Sequence, residues 1–458
     1  MSEPVAGGGG GAGGGGGAAQ GRGRLAVADL MYVLAEGAIA TAAAEPRDSA
    51  RMLVVRRSAP ERVEHLVVRD LPGLLPAGMV MVRNVSRVLA ARVVGVRRDS
   101  GGRVEGLYLS GGAGAGGARG GDGVSGGAGG VGGGGGHEEG VGVGVPRVWR
   151  MYLRMKRPRA GVIVDVCLEG DGGGAAEGCA PSGVWLELLR ADPSEPGVWE
   201  VAVGGRSAGG AGEALGAAGA SDAALLERVG RTPLPPYIVS ARSRAGWDEA
   251  GGASGTGGAG GVGGAGDRAR YQAVYAGAEA GSVAAPTAGL HMTAGLIGEL
   301  VERGVSMADV VLHVGAGTFK PVTAAHVEDH VMHAEWCRVP AATRRALAGA
   351  RAGVLAVGTT SVRTLESFPE LLGGDLGVDV GGQTRLLITP GHRFRFVDAL
   401  LTNFHLPGST LMALVAALMA RAGEPPSRSA ARVVRLYEVA MARGYRFYSY
   451  GDAMLILP

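Results

Sequence analysis

Cysteine is scarce in this 458-residue chain, and its three positions, Cys167, Cys179 and Cys337, form neither a zinc-knuckle spacing nor a disulfide framework. That pattern points to a reducing compartment. Long apolar runs are missing as well: the longest near the start, Leu30 to Ala44, holds Glu36 and is too short to span a bilayer. A leader with basic, apolar and small-residue regions is absent, so the expected location is cytoplasmic. An acid-poor Gly/Ala start with Arg22 and Arg24 leaves an organelle stroma or matrix as the alternative. There is no Gly-Lys-Ser/Thr phosphate loop, and Gly315-Ala316-Gly317-Thr318 lacks the third glycine of a dinucleotide fingerprint, which removes ATP and nicotinamide readings. Net charge is only +3, so charge balance neither demands nor excludes a nucleic-acid partner.

What the chain has in excess is glycine, 87 residues of it. Nearly pure Gly/Ala stretches cover residues 6 to 18, 111 to 145 and 251 to 266, with weaker ones at roughly 169 to 182 and 204 to 222. They bury too little apolar surface to offset their ordering entropy and are expected to be disordered loops. Removing them leaves ordinary globular composition with two textures. From Glu61 to about Val203 short β-branched runs recur, at Val63 to Val68, Met79 to Arg83, Arg87 to Val96, Val104 to Leu109, Gly161 to Leu168, Gly183 to Leu189 and Gly197 to Val203. Such runs with turn signals predict a small barrel or sandwich. After Tyr237, helices at Thr293 to Arg303, Ala324 to His333 and Pro340 to Ala350 alternate with strands at Val310 to Val314, Val354 to Val357 and Leu386 to Ile388, which predicts an α/β sheet. In Arg147 to Arg159 six basic side chains interleave with Trp149 and Tyr152, a mix that suits phosphates and bases.

Five polar, glycine-rich strings mark a site in the second half. They are Gly281-Ser282-Val283-Ala284-Ala285-Pro286-Thr287-Ala288-Gly289-Leu290-His291-Met292-Thr293, Leu312-His313-Val314-Gly315-Ala316-Gly317-Thr318-Phe319, Ala356-Val357-Gly358-Thr359-Thr360-Ser361-Val362-Arg363-Thr364-Leu365-Glu366-Ser367, Leu401-Thr402-Asn403-Phe404-His405-Leu406-Pro407-Gly408-Ser409-Thr410 and Tyr445-Arg446-Phe447-Tyr448-Ser449-Tyr450-Gly451-Asp452-Ala453-Met454. Small residues let backbone approach a ligand, and the embedded His, Thr and Asn side chains supply titratable and hydrogen-bonding groups. The strings fall just after predicted strands, where open α/β sheets bind ligands.

With Pro233-Leu234-Pro235-Pro236-Tyr237-Ile238, Asp267 to Ala276 and His330-Val331-Met332-His333-Ala334-Glu335-Trp336, these strings resemble the S-adenosylmethionine:tRNA ribosyltransferase-isomerase family of queuosine biosynthesis. The likeness is close from 228 to 458. Upstream it is moderate, at Glu45 to Leu53 and Leu71 to Gly78. It implies an α/β domain, here 25 to 61 with 228 to 458, carrying an inserted small β-barrel at 62 to 227, behind a disordered tail at 1 to 24. The implied reaction moves the ribosyl part of S-adenosylmethionine onto an aminomethyl-deazaguanine at the tRNA wobble position, with S-adenosylmethionine as substrate, tRNA as partner, and no cofactor, required metal or membrane. The sequence departs from the family's pattern at Asn84-Val85-Ser86, where an Asn-Asp-Thr triplet is usual, at Met292 for Phe and at Ala273 for Thr.

That chemistry needs several proton-transfer groups near neutral pH, which histidine supplies. Seven of nine histidines lie from His291 onward. His291, His313, His405 and Asp452 are the catalytic candidates. Arg363 suits the methionine carboxylate and Glu366 a ribose hydroxyl or cationic amine, while Tyr271, Thr287, Thr318, Asn403 and Ser409 are polar candidates for orienting the substrates. Arg150, Arg154 and Lys156 are the tRNA-binding candidates. Two readings of other classes compete: a zinc-dependent hydrolase, if His326, His330 and His333 share a helix face, and a non-catalytic tRNA-binding relative.

Overall fold

The computed structural model describes residues 23–113, 147–168, 180–205, 221–246, 265–315, 317 and 322–458. The expected disordered Gly/Ala stretches lie mostly outside these residues. Their margins at 111–113, 180–182, 204–205, 222 and 265–266 belong to strands and helices.

Strands β1 (Arg51–Arg56), β2 (Val63–Val67), β3 (Val80–Asn84) and the short β4 (Arg87–Val88) lead into six barrel strands, β5 (Arg92–Arg97), β6 (Arg103–Ala113), β7 (Arg147–Arg154), β8 (Ile163–Leu168), β9 (Ala180–Ala191) and β10 (Val198–Gly205). Helices α1 (Asp222–Val229), α2 (Pro236–Arg244) and α3 (Ala265–Arg270) bring the chain back. There follow β11 (Ala280–Ser282), α4 (Ala294–Glu302), β12 (Ser306–Leu312), β13 (Glu335–Val339), α5 (Ala341–Ala348), β14 (Val354–Val357), α6 (Thr359–Glu366), β15 (Val380–Thr384), β16 (Ala399–Asn403), α7 (Thr410–Leu418), α8 (Pro426–Ala442) and β17 (Ala453–Leu457).

Nine strands form one sheet in the order β15-β13-β12-β3-β14-β16-β17-β1-β2. Its centre, β12-β3-β14-β16, is parallel. Such strands are covered on both faces and therefore read as continuous apolar runs; β14, β16 and β17 are buried at every position. Side chains alternate between two cores. Val82, Ala356, Leu400 and Ile456 pack with Val362 and Leu365 of α6 and with α7 and α8, whereas Met81, Leu355, Leu401 and Leu455 pack with Leu296 and Leu300 of α4.

The barrel closes as β10-β7-β6-β5-β8-β9. Period-two alternation sends Trp149, Met151 and Leu153 of β7 inward. Helix α1, whose N-cap Ser221 accepts from Ala224 N–H, adds Leu225, Leu226 and Val229 to the same core. Asp222 at its start accepts hydrogen bonds from Tyr108 Oη and Trp149 Nε1, both at 2.9 Å. The two rings meet edge to face, with centroids 5.2 Å apart, an arrangement worth about 0.5–1.5 kcal/mol beyond its buried area.

The barrel thus begins at Arg92 instead of at residue 62. The runs at Val63 to Val68 and Met79 to Arg83 belong to the large sheet, and β3 lies at its centre between β12 and β14. A short β-branched run does not reveal which sheet it joins. Leu386 to Ile388 is not a strand; the edge strand is β15, just before it. Ala324 to His333 is not a helix either. It holds a single 3₁₀ turn at Val327–Asp329, because its backbone pairs with the N-terminal segment: Val27 N–H donates to Ala325 O and Val327 N–H to Leu25 O, each at 2.9 Å. Cys167 is disulfide-bonded, against the reading that the cysteine spacings form no disulfide framework, while Cys337 is free and buried. Among the described residues no helix is long and apolar enough to cross a membrane.

Candidate active site

A cleft of about 710 Å³, counted out to its open mouth, lies at the carboxyl ends of the central parallel strands. Four chain segments build its wall. The loop after β11 gives Ala284 to Ala288, the β14–α6 turn gives Gly358, Thr359 and Thr360, the end of β16 and the loop after it give Thr402 to Leu406, and the turn before β17 gives Tyr448 and Ser449. Tyr237, Tyr271, Val314 and Leu411 complete it. Among the described residues no lysine, arginine, aspartate or glutamate lines this cleft.

Its floor is a hydrogen-bonded polar network. Asn403 accepts from Thr287 Oγ1 at 2.9 Å and donates through Nδ2 to Tyr448 O at 3.1 Å and toward His291 Nε2 at 3.2 Å. An amide NH₂ only donates, so His291 Nε2 is an acceptor and the ring is neutral with its proton on Nδ1. Burial drives the His291 pKa down to about 4, outweighing the nearby Asp452 charge. His405 on the wall is pushed down to about 3, also by burial, and its Nε2 meets Thr402 Oγ1 at 2.9 Å. Tyr271 is fully buried and its hydroxyl has no hydrogen-bond partner, as has Thr360 Oγ1.

The structure brings Tyr271, Thr287, Asn403 and His405 to the cleft and sets the other described candidates elsewhere. His291 stands behind Asn403. Asp452 is 1% exposed and accepts from the backbone N–H groups of Arg446 and Arg51 and from the Arg446 guanidinium, which fixes the entry to β17. Arg363 is paired inside the protein with Glu335 and donates to Leu386 O; Glu335 in turn accepts from Gly315 N–H. Glu366 accepts from the N–H groups of Arg395, Phe396 and Val397. Ser409 caps α7 through Met412 N–H. His313 stacks on Trp336 and joins Ser86 Oγ at 2.8 Å, with Glu279 at 3.5 Å as the carboxylate facing it. Its neighbour is Gly281, where a Cβ would stand 2.5 Å from the ring. Thr318 lies outside the described residues. Sequence reasoning missed Tyr237, Thr359, Thr360, Thr402, Tyr448 and Ser449. The Thr359-Thr360 pair directly after a strand and Gly358 was the available signal.

Of the basic stretch on β7, Trp149 is in the barrel core and Arg150 is held by Asp192 and Glu195, both at 2.6 Å. Tyr152, Arg154 and Lys156 remain exposed. Glu195 also faces His333 at 3.5 Å, which ties the barrel's β9–β10 turn to the α/β domain. His326 pairs with Asp329 at 4.0 Å, and among the described residues no three His, Cys, Asp or Glu side chains are grouped to hold a metal. The zinc arrangement fails because the helix that would align the histidines does not form.

The sequence profile of a family described as queuosine biosynthesis protein matches residues 27–456. The chain belongs to this family. The S-adenosylmethionine:tRNA ribosyltransferase-isomerase of Sorangium cellulosum is 41% identical over 93% of this chain and 97% of its own length. The enzyme of the same name from Gloeobacter violaceus is 38% identical over 93% and 94%. A crystal structure of the S-adenosylmethionine tRNA ribosyltransferase from Thermotoga maritima is 26% identical, covers 94% of this chain and all of its own, and has a TM-score of 0.42. The queuosine biosynthesis family match spans both the barrel and the large sheet.

Proposed function

We propose that this chain is an S-adenosylmethionine:tRNA ribosyltransferase-isomerase. It moves the ribosyl part of S-adenosylmethionine onto the aminomethyl group of a 7-deazaguanine base at the tRNA wobble position and isomerises it to epoxyqueuosine, with release of adenine and methionine. S-adenosylmethionine is consumed as a substrate and tRNA is the macromolecular partner. The observation that carries the reading is near-full-length identity of 41% to a relative bearing this activity's name.

The cleft chemistry supports it. A sulfonium is a cation without hydrogen-bond donors, and the faces of Tyr237, Tyr271, Tyr448 and Phe404 offer it attraction without a counter-ion. The sulfonium acidifies its C5′ hydrogens, departure of adenine needs a proton, and the attacking amine must be neutral, so proton movements accompany each stage. His405 is the imidazole on the wall and enters unprotonated. Asn403, Thr287 and Tyr271 orient the substrates, and His291 acts through Asn403 as a positioning residue. Exposed Arg154 and Lys156 on the barrel meet the tRNA backbone. Incubation with S-adenosylmethionine and tRNA bearing the aminomethyl-deazaguanine tests this by nucleoside mass spectrometry and adenine release. Epoxyqueuosine with stoichiometric adenine is expected; tRNA binding without adenine release would leave a non-catalytic relative.

A further inference from the structure

Among the described residues the cleft wall holds no charged side chain, and a substrate whose methionyl end carries a carboxylate must still find a partner there, because burying that anion without one is costly. Arg363 is already held by Glu335 and Leu386 O. Among the described residues that line the wall, the source of positive potential is the start of α6. The chain leaves β14 through Gly358 at φ +86°, a conformation open to glycine, and turns at once into an eight-residue helix with no side-chain cap. The first N–H groups of a helix have no partner within it and carry the positive end of its dipole.

Gly358 N–H donates to Leu401 O at 2.8 Å, and Ser361 Oγ donates back to Val357 O at 2.8 Å. Gly358, Thr359 and Thr360 all line the cleft. Thr359 is 7% exposed, Thr360 Oγ1 is buried without a partner, and the fully buried Tyr271 presents a second unpartnered hydroxyl to the same cleft. Open N–H groups and unsatisfied hydroxyls lining the same cleft form a site for an anion of carboxylate size.

We propose that the N-terminus of α6, with the Thr359 and Thr360 hydroxyls, seats the carboxylate of S-adenosylmethionine, an assignment that rests on reading this cleft as that substrate's site. The sulfonium then lies toward the tyrosine faces and the adenosyl group toward Asn403 and His405.

The test compares S-adenosylmethionine with its decarboxylated analogue by titration calorimetry on the full chain. The wild type should bind the carboxylate form tighter by about tenfold or more, the scale of a charge-assisted contact at a helix end. Thr359→Asp places a competing carboxylate at the helix start and should weaken S-adenosylmethionine by on the order of tenfold, while the dicationic analogue, which an added carboxylate attracts, binds at least as tightly as before. Thr360→Val, nearly isosteric, should give a several-fold loss with the same selectivity, and it carries the test if the aspartate variant does not fold. Equal losses for both ligands, or a wild type that does not discriminate, would overturn the seat. A loss of tRNA affinity with S-adenosylmethionine unaffected would assign the helix end to a phosphate and overturn it too. If the wild type binds no S-adenosylmethionine and releases no adenine, the parent reading fails; binding without discrimination removes only the carboxylate seat.

Discussion

The barrel and the cleft handle polarity in opposite ways. On β7 the barrel turns Trp149, Met151 and Leu153 into an apolar core and leaves Arg150, Tyr152 and Arg154 on the outside. The cleft is lined by Asn403, His405, Thr359 and Tyr271 and, among the described residues, carries no formal charge on its wall. Charges in water are screened over roughly 8–10 Å at moderate salt, so a barrel exterior can attract a polyanion without fixing it to the ångström. Hydrogen-bonding groups in a dry site act with little screening and cost no reorganisation, which is what directed chemistry requires. On the proposed reading, one chain thereby separates holding a large partner from transforming a small one.

That division is broken most forcefully at the barrel core. Trp149→Ala removes a fully buried ring and the Asp222 hydrogen bond that pins α1, and should cost about 3–5 kcal/mol of barrel stability in denaturant unfolding. S-adenosylmethionine binding in the surviving folded fraction should be unchanged. If binding is lost in step, the two regions are energetically one unit.

The cleft side is tested by Asn403→Ala, which cuts the links to Thr287, His291 and Tyr448. Turnover measured as adenine release should fall by about a hundredfold, the range for a removed preorganised polar group, with tRNA affinity retained. A rate within a factor of two of wild type would remove Asn403 from the substrate-orienting set.

A smaller effect is expected outside the barrel. Arg154→Ala with Lys156→Ala should weaken tRNA binding and lower its salt slope by roughly one per lost phosphate contact, with S-adenosylmethionine affinity untouched. Arg150→Ala should change the slope little, since Asp192 and Glu195 already neutralise that side chain. An unchanged slope in the double variant would send the search for the tRNA footprint elsewhere, for instance to Arg393 and Arg395.

The mildest effect is on pH. His291 and His405 have folded pKa values depressed to about 4 and about 3, below the ordinary imidazole value near 6.5. The unfolded chain therefore binds more protons between those limits, and the stability is fully present above about pH 6.5 and falls as pH drops through 4 toward 3. The melting temperature should decline across that window, and His405→Gln should flatten part of the decline. A pH-independent difference between the two proteins would mean that His405 is not buried as a neutral ring.

The site was legible wherever backbone chemistry marked it. The Gly/Thr string after the expected strand β14 does fall at the end of a parallel strand, the string at Leu401 to Thr410 follows β16, a strand the sequence reading did not name, and Thr287, Asn403 and His405 meet there. Arg363 and Glu366 fitted the same pattern but point into the protein. Residues four and seven positions beyond Thr359 on a short helix lie on whichever face packing chooses, and here Glu335 and the Arg395 to Val397 backbone claim them.

Sequence alone determined the family resemblance, the two textures, the apolar strand β14, and the presence of polar strings in the second half, because these depend on local patterning and on short ordered strings. Tertiary structure decided which runs between 62 and 84 join the large sheet, which face of β7 meets solvent, that His326 to His333 forms no helix, and that the start of α6 opens into the cleft beside unsatisfied hydroxyls. Those outcomes depend on contacts between residues hundreds of positions apart, such as Leu25 with Val327 and Thr287 with Asn403, and no local pattern encodes which distant partner will satisfy a given backbone or side-chain group.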